Sequence, residues 1–117
     1  MAIFKLVEGL TYAANAASDL SDKVNYAAKI DASGLIALTT TDDKALGTIF
    51  EAADLGYPAT VQFGGICKAI ASLAMLPGVR VQSATVGKVK TGSTNPMGVS
   101  VNNGAADLSV ISVAMIA

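Results

Sequence analysis

Apolar and polar residues alternate along much of the chain, with the two-residue period of a half-buried strand. Val99-Ser100-Val101-Asn102 and the segment 108–113 show this pattern most clearly. Shorter segments with the same alternation are 24–26, 34–38, 47–50, 60–63, 79–82 and 88–90. Turn-forming sequences such as Pro77-Gly78 and Asn102-Asn103-Gly104 separate them. The pattern predicts an all-β (mainly β) fold, a small β-barrel or β-sandwich.

Two alanine-rich segments are candidates for short helical turns. They are residues 13–22 and residues 69–76, and Pro77-Gly78 would end the second. Residues 67–72 also fit a strand. We therefore expect one or two short helical turns in an otherwise β-rich chain.

The two halves of the chain show a weak internal repeat. At an offset of 55 residues, Gly9 aligns with Gly64, Val24 with Val79 and Tyr26 with Val81. With shorter loops in the second half, the remaining matches place Gly34 on Gly87, Gly47 on Gly98 and Val61 on Leu108. This alignment predicts two half-repeats, 4–58 and 59–117, related by a pseudo-two-fold axis.

The length of 117 residues indicates one domain. We expect residues 1–12 to form an N-terminal arm or edge strand and residues 13–117 to form a single compact β domain. Glu8 and Gly9 interrupt the apolar start of the chain, which argues against an export signal. The apolar run 108–117 has about half the length of a membrane-spanning helix. We therefore expect no membrane partner.

Composition and charge favour an oligomer. Hydrophobic residues make up 52% of the chain and charged residues only 15%, so apolar side chains should remain on the surface in patches. Residues 1–58 contain four lysines and eight acidic residues, a net charge of −4, whereas residues 59–117 contain four basic residues and one acid, a net charge of +3. Acidic and basic faces of this kind would set the orientation of neighbouring subunits.

The sequence contains no catalytic motif. The chain has no histidine, which excludes the usual Ser-His-Asp and Cys-His arrangements and removes a common zinc ligand. A Ser-Lys or paired-carboxylate mechanism stays formally open. The acidic pairs Asp42-Asp43 and Asp19/Asp22 are interpreted as turn residues that bond nearby backbone N–H groups. We expect no enzyme activity, no metal and no cofactor.

Two other features have structural interpretations. Cys67 follows an apolar alternation and has no basic cluster beside it, so we interpret it as a buried, unreactive thiol. Gly64-Gly65 is interpreted as a β-bulge or a close backbone approach. Lys88 and Lys90 share a strand face, but the net charge of −1 argues against a nucleic-acid partner.

Five segments of the chain carry a resemblance to a known family. They are a glycine-opened strand at 45–53, a strand running through glycines at 59–68, a glycine turn into a strand at 76–82, and two β segments at 96–101 and 104–113. Their order is similar to that of the head decoration (cement) proteins of tailed bacteriophages. The resemblance covers most of residues 45–117 and is looser before that.

The resemblance implies a compact β domain that assembles as a homotrimer at or near the three-fold positions of the phage head. There it would clamp neighbouring major capsid protein subunits, stay on the capsid surface of the virion, and be made in the bacterial host cytoplasm. The alternatives are another phage structural module (tail tube, fibre or baseplate) or a small accessory β domain. Ile3, Phe4 and Leu6 are candidate partner contacts, because an apolar arm of this kind adds to a neighbouring sheet edge; an edge strand of the same domain is the other interpretation.

Overall fold

The fold is almost entirely β, as the alternation predicts. A computed structural model describes residues 11–115 of the chain. These residues form two five-stranded antiparallel sheets. The strands of the first sheet are β1 (Thr11–Asn15), β2 (Ala27–Ile30), β3 (Ile36–Leu38), β4 (Gly47–Glu51) and β5 (Pro58–Gln62). The strands of the second sheet are β6 (Ile66–Ile70), β7 (Arg80–Ser83), β8 (Val89–Thr91), β9 (Gly98–Ser100) and β10 (Val110–Met115).

Both sheets have the same strand order. The strand order is β1-β5-β4-β2-β3 in the first sheet and β6-β10-β9-β7-β8 in the second. The second order is the first with five added to each strand number. A parallel bridge from Ala16 to Ile36 joins the two edges of the first sheet, and a bridge from Ala71 to Val89 does the same in the second. Each sheet therefore closes on itself into a small barrel. We call residues 11–62 the first lobe and residues 66–115 the second lobe.

Each lobe has its own apolar core. Ile36, Ile49 and Val61 are fully buried in the first lobe, and Val81, Ile111 and Val113 are fully buried in the second. Each of these sets lies on the inward face of its strands. The prediction of a single compact domain with half-repeats 4–58 and 59–117 stays a prediction.

The strand pairing corrects the register of the predicted repeat. Ala28 pairs with Gly47 as Val81 pairs with Gly98, so Val81 corresponds to Ala28 and the match with Tyr26 was wrong. The match of Val24 with Val79 is out of register by the same two residues. The connection from β6 to β7 is two residues shorter than the one from β1 to β2, and the alignment did not include that deletion.

The other matches have mixed outcomes. Gly47 and Gly98 occupy equivalent positions, and Gly34 and Gly87 both have positive φ in equivalent turns. The match of Val61 with Leu108 was wrong: Val61 pairs with Tyr12 as Val113 pairs with Cys67. Gly9 lies outside the described residues, so its match with Gly64 stays a prediction.

The predicted helical turns were misplaced. Residues 13–15 belong to β1 and residues 69–70 to β6. Among the described residues there is one helical turn, a 3₁₀ turn at Thr85–Gly87. The alanines of the second segment pack in the core, since Ala69 and Ala71 are both fully buried. The register shift of a bulge lies in β4, between Ile49 and Glu51, rather than at Gly64-Gly65.

Candidate functional site

The first candidate site is the joint between the two lobes. The outward-facing Ala27 of the first lobe is fully buried in the core cluster of the second lobe. Strand β4 contacts strand β6, and Thr48 on β4 is only 3% exposed. A strand that faced solvent on its outer side would expose both residues. The outer surface of the first lobe at Ala27 and Thr48 is therefore covered by the second lobe.

Backbone hydrogen bonds fix this joint. The N–H of Gly87 donates to the carbonyl of Thr39 at 2.9 Å, and the N–H of Asp42 donates to the carbonyl of Ser83 at 3.4 Å. Gly87 has φ +71°, and a Cβ there would lie within 3.0 Å of the Ala27 carbonyl oxygen and closer still to the Leu38 side chain. The close approach of the two lobes thus requires glycine at this position.

Polar side chains add a second set of links between the lobes. The amide nitrogen of Gln82 donates to Asp42 Oδ1 at 2.7 Å, and Asn95 Nδ2 donates to the Asp42 carbonyl at 3.0 Å. The side-chain oxygen of Gln82 also accepts from the N–H of Thr94. Asp42 therefore links the two lobes through hydrogen bonds from Gln82 and Asn95. The sequence placed it in a turn but carried no signal for its partners, which lie 40 and 53 residues away.

The carboxylate of the neighbouring Asp43 stabilises the loop before β4 by accepting several hydrogen bonds. Asp43 Oδ2 accepts from Lys29 Nζ at 2.7 Å and from both the N–H and the hydroxyl of Thr40. The hydrogen bond from Lys29, aided by those from Thr40, lowers the pKa of Asp43 from 3.8 to about 2. Asp19 similarly accepts from the Ser21 N–H, and its pKa is lowered by its hydrogen bonds with Ser21. The interpretation of these acids as turn residues that bond backbone N–H groups is confirmed for Asp19 and Asp43.

Cys67 lies at the same joint. It is 1% exposed, and its Sγ lies 3.5 Å from the Gly64 carbonyl oxygen. Burial raises the pKa of its thiol. The prediction that Cys67 is buried is confirmed. Within residues 11–115 there is no cluster of three or more His, Cys, Asp or Glu residues arranged to hold a metal.

The second candidate site is an apolar surface at one end of the second lobe. Two loops form it, residues 71–79 and residues 101–109, and Met75 and Gly104 join them by a pair of backbone hydrogen bonds of 2.8 and 2.9 Å. Four large apolar side chains project from these loops with exposed fractions between 51% and 71%: Leu73, Leu76, Val101 and Leu108. We call these four residues the apolar end.

The equivalent end of the first lobe lacks two of these leucines, although Leu55 and Tyr57 on its other loop are 61% and 65% exposed. Its loops share one of the two bonds, since the N–H of Leu20 donates to the Ala53 carbonyl as that of Met75 donates to Gly104. By this correspondence Ser18 and Ser21 stand where the second lobe has Leu73 and Leu76. The lobe architecture is the same in both places, so it does not require leucine there. The exposed leucines therefore indicate a contact surface.

The predicted arm contacts Ile3, Phe4 and Leu6 lie outside the described residues and stay a prediction. The apolar end was not predicted, although its signal is present in the sequence. Leu73, Leu76 and Leu108 fall in turn segments, where large apolar residues have no core to enter. Within residues 11–115 the structure contains no helix with the length and hydropathy needed to cross a bilayer.

Comparison with known proteins gives a likeness in structure alone. No protein-family model matches the sequence, and no curated protein matches it significantly. The fold is similar to the crystal structure of the head fiber gp8.5 N base in bacteriophage phi29, with a TM-score of 0.71. The match covers 91% of this chain and 92% of that chain, at 14% sequence identity. The two proteins share a fold over nearly their whole described length.

Proposed function

We propose that this chain is a structural protein of a tailed-phage virion, that it attaches to the head, and that it has no catalytic activity. One observation carries the proposal: the near-complete likeness in fold to the base of a phage head fiber. Fold alone does not determine function. Here the sequence motifs point independently to the same class, since their order resembles that of head decoration proteins.

Two finer roles fit this proposal. As a decoration protein, the chain would bridge neighbouring major capsid protein subunits, in several copies, three of them if the decoration resemblance holds. As a fibre base, it would seat an appendage on the head. A protein that binds only the assembled shell stabilises that shell by mass action, and repeated copies add avidity. The likeness to a head fiber base favours the second role at least as strongly as the motifs favour the first.

The apolar end of the second lobe is the surface that we assign to the capsid contact. Its side chains are large, uncharged and carried on loops held in place by the Met75–Gly104 bridge. Exposed apolar patches of this kind mark interaction sites, and a few side chains carry most of the energy of a protein interface. Neither nucleic acid nor membrane is a partner in this proposal.

The location of the protein is tested by immunogold labelling of phage particles from the source of this sequence, with antibodies raised against the purified chain. Label on the heads is the expected result. Label on tails would replace the proposal by the tail alternative, and particles without label would overturn both. Heating particles that lack the chain distinguishes the finer roles. If the chain is a decoration protein, these heads should release DNA at a lower temperature than complete heads, and if it is a fibre base the temperature should be unchanged.

The assigned surface is tested by giving the second lobe the residues of the first. The variants Leu73→Ser and Leu76→Ser should each weaken cosedimentation with heads by at least about tenfold, as expected for an interface anchor. Leu55→Ser is the matched control, because Leu55 is 61% exposed but lies on the first lobe. Equal binding by all three variants would remove the apolar end from the interface.

A further inference from the structure

The matching register of the two lobes allows their surfaces to be compared position by position. Inside the chain, one surface of the first lobe contacts a different surface of the second. We call Ala27, Thr39 and Thr48 the joined flank of the first lobe. We call Cys67, Ser83 and Gly87 the joined end of the second lobe. Each surface has a counterpart in the other lobe that stays uncovered among residues 11–115.

The counterpart of the joined flank lies on the second lobe. Arg80 pairs with Val99 as Ala27 pairs with Thr48, and the N–H of Gly92 donates to Arg80 as that of Thr39 donates to Ala27. Thr48 is 3% exposed, whereas Val99 is 37% exposed and Arg80 is also exposed. We call Arg80, Gly92 and Val99 the free flank.

The counterpart of the joined end lies on the first lobe. Tyr12 corresponds to Cys67, Ile30 to Ser83 and Gly34 to Gly87. Cys67 and Ser83 are each 1% exposed, but Tyr12 is 48% and Ile30 is 39% exposed. We call these three first-lobe residues the free end. Large apolar side chains stand here in solvent, where the covered surface has small ones.

A shallow pocket adds to the free end. It has a volume of about 260 Å³ and is lined by Ile30, Lys44, Ala45 and Leu46. Leu46 corresponds to Met97, which is 5% exposed in the core of the second lobe. In the second lobe, whose end is covered by the first lobe, the position of Met97 is thus buried. In the first lobe, whose equivalent end is exposed, a pocket lies beside Leu46.

We propose that the free flank of one copy of the chain binds the free end of a second copy, head to tail. The contact within the chain is the precedent, since it joins the same two surfaces of the same fold. Net charge selects the pairing: the first half of the chain carries −4 and the second +3. A head-to-tail contact brings opposite charges together, whereas a symmetric contact of like lobes would bring like charges together.

A head-to-tail contact has consequences for assembly. It leaves one unused surface at each end of a pair, so it closes into a ring or continues as a filament. Tyr12, Ile30 and Arg80 are larger than Cys67, Ser83 and Ala27 at the joint, so the lobes of two copies stand further apart than the lobes within one chain. The proposal needs only the chain itself and does not depend on binding to a phage head.

The first test is the molar mass of the purified full-length chain by sedimentation equilibrium. The wild type should form an oligomer, and Ile30→Glu or Val99→Glu should each raise its dissociation constant by at least about tenfold, because each replaces an apolar contact by a carboxylate that must lose its water on binding. Leu55→Glu, an exposed change away from both surfaces, should leave the mass unchanged. Circular dichroism checks the fold, with Tyr12→Glu as a second free-end variant should Ile30→Glu unfold.

The second test is to mix the Ile30→Glu and Val99→Glu variants. The first keeps an intact free flank and the second an intact free end, so the mixture should contain a two-chain species that neither variant forms alone. A symmetric contact cannot produce this result. A monomeric wild type, a mixture without the two-chain species, or an unchanged mass in both variants would each overturn the proposal. A free end covered by residues 1–10 would give the monomeric outcome.

Discussion

Gly47 and Gly98 occupy the same position in the two lobes, and each is packed against a backbone carbonyl of the neighbouring strand. Gly47 lies against the carbonyl of Gln62, and Gly98 lies against that of Ala114. Gln62 pairs with Thr11 as Ala114 pairs with Ile66, so the two carbonyls are equivalent as well. One steric requirement therefore recurs in both barrels, at the first residue of β4 and of β9.

Alanine at either glycine should destabilise the protein. An added Cβ would overlap the facing carbonyl, so paired strands would have to separate. The free energy of unfolding should fall by about 2–3 kcal/mol for Gly47→Ala and for Gly98→Ala, as for other overpacked sites. Urea denaturation followed by circular dichroism measures this. Val99→Ala, next to Gly98 with its side chain on the outer face, should cost less than about 1 kcal/mol. A Gly98→Ala variant with the wild-type midpoint would contradict the steric explanation.

The joint between the lobes has a matched test in Gly87 and Gly34. Both have positive φ, +71° and +80°, so alanine brings about the same conformational penalty of ~1 kcal/mol at each. A Cβ at Gly34 meets nothing within 4 Å, but one at Gly87 meets Leu38 and the Ala27 carbonyl of the other lobe. Gly87→Ala should therefore cost a further 1–3 kcal/mol, about what overpacking costs elsewhere. Equal losses in the two variants would mean that the joint adapts without cost.

The fold class was predictable because the alternation is local. The two-residue period is kept in β9, but its faces are the reverse of those expected, since the apolar Val99 is exposed and the polar Ser100 is buried. The joint was not predictable, since nothing local distinguishes Ala27, which packs outward into the second lobe, from Ala28, which packs inward into the first. The predicted alignment of the two halves matched Gly47 with Gly98 correctly but placed Tyr26 two residues out of register. Strand pairing determines such a register. The two-residue deletion in the loop between β6 and β7 cannot be located from the sequence, because the loop residues carry no distinctive motif.

The sequence predicted that exposed apolar patches would exist, but it did not predict where on the fold they lie. An apolar composition with few charges indicated exposed patches, and Leu73 and Leu76 are exposed in this way. Their assignment to one end of the second lobe depends on the pairing of Met75 with Gly104, a contact between loops that are 29 residues apart. Periodicity carries no information on pairings of that kind.

The Asp43–Lys29 pair should make stability depend on pH in the acid range. The pKa of Asp43 is about 2 in the folded protein and 3.8 in its ordinary state, so its contribution is complete above pH 4 and is lost as the pH falls towards 2. At pH 7 the Asp43→Asn variant should unfold at lower urea than the wild type, and the difference should shrink between pH 4 and pH 2. Asp22→Asn, at an exposed ion pair with Lys23, is the control for general loss of charge. A difference that is constant across this range would show that Asp43 does not act through its carboxylate.

Cys67 should report on opening of the joint. Its thiol is 1% exposed and burial raises its pKa, so both access and thiolate formation are suppressed in the folded protein. Reaction with an aromatic disulfide reagent at pH 8 should be about 100-fold or more slower than in the urea-unfolded chain, because the thiol reacts only after local opening. The equivalent position of the first lobe supplies the control: in a Cys67→Ala background, Tyr12→Cys should react rapidly, since Tyr12 is 48% exposed. If Cys67 reacts as fast as that cysteine, the second lobe does not stay closed against the first in solution.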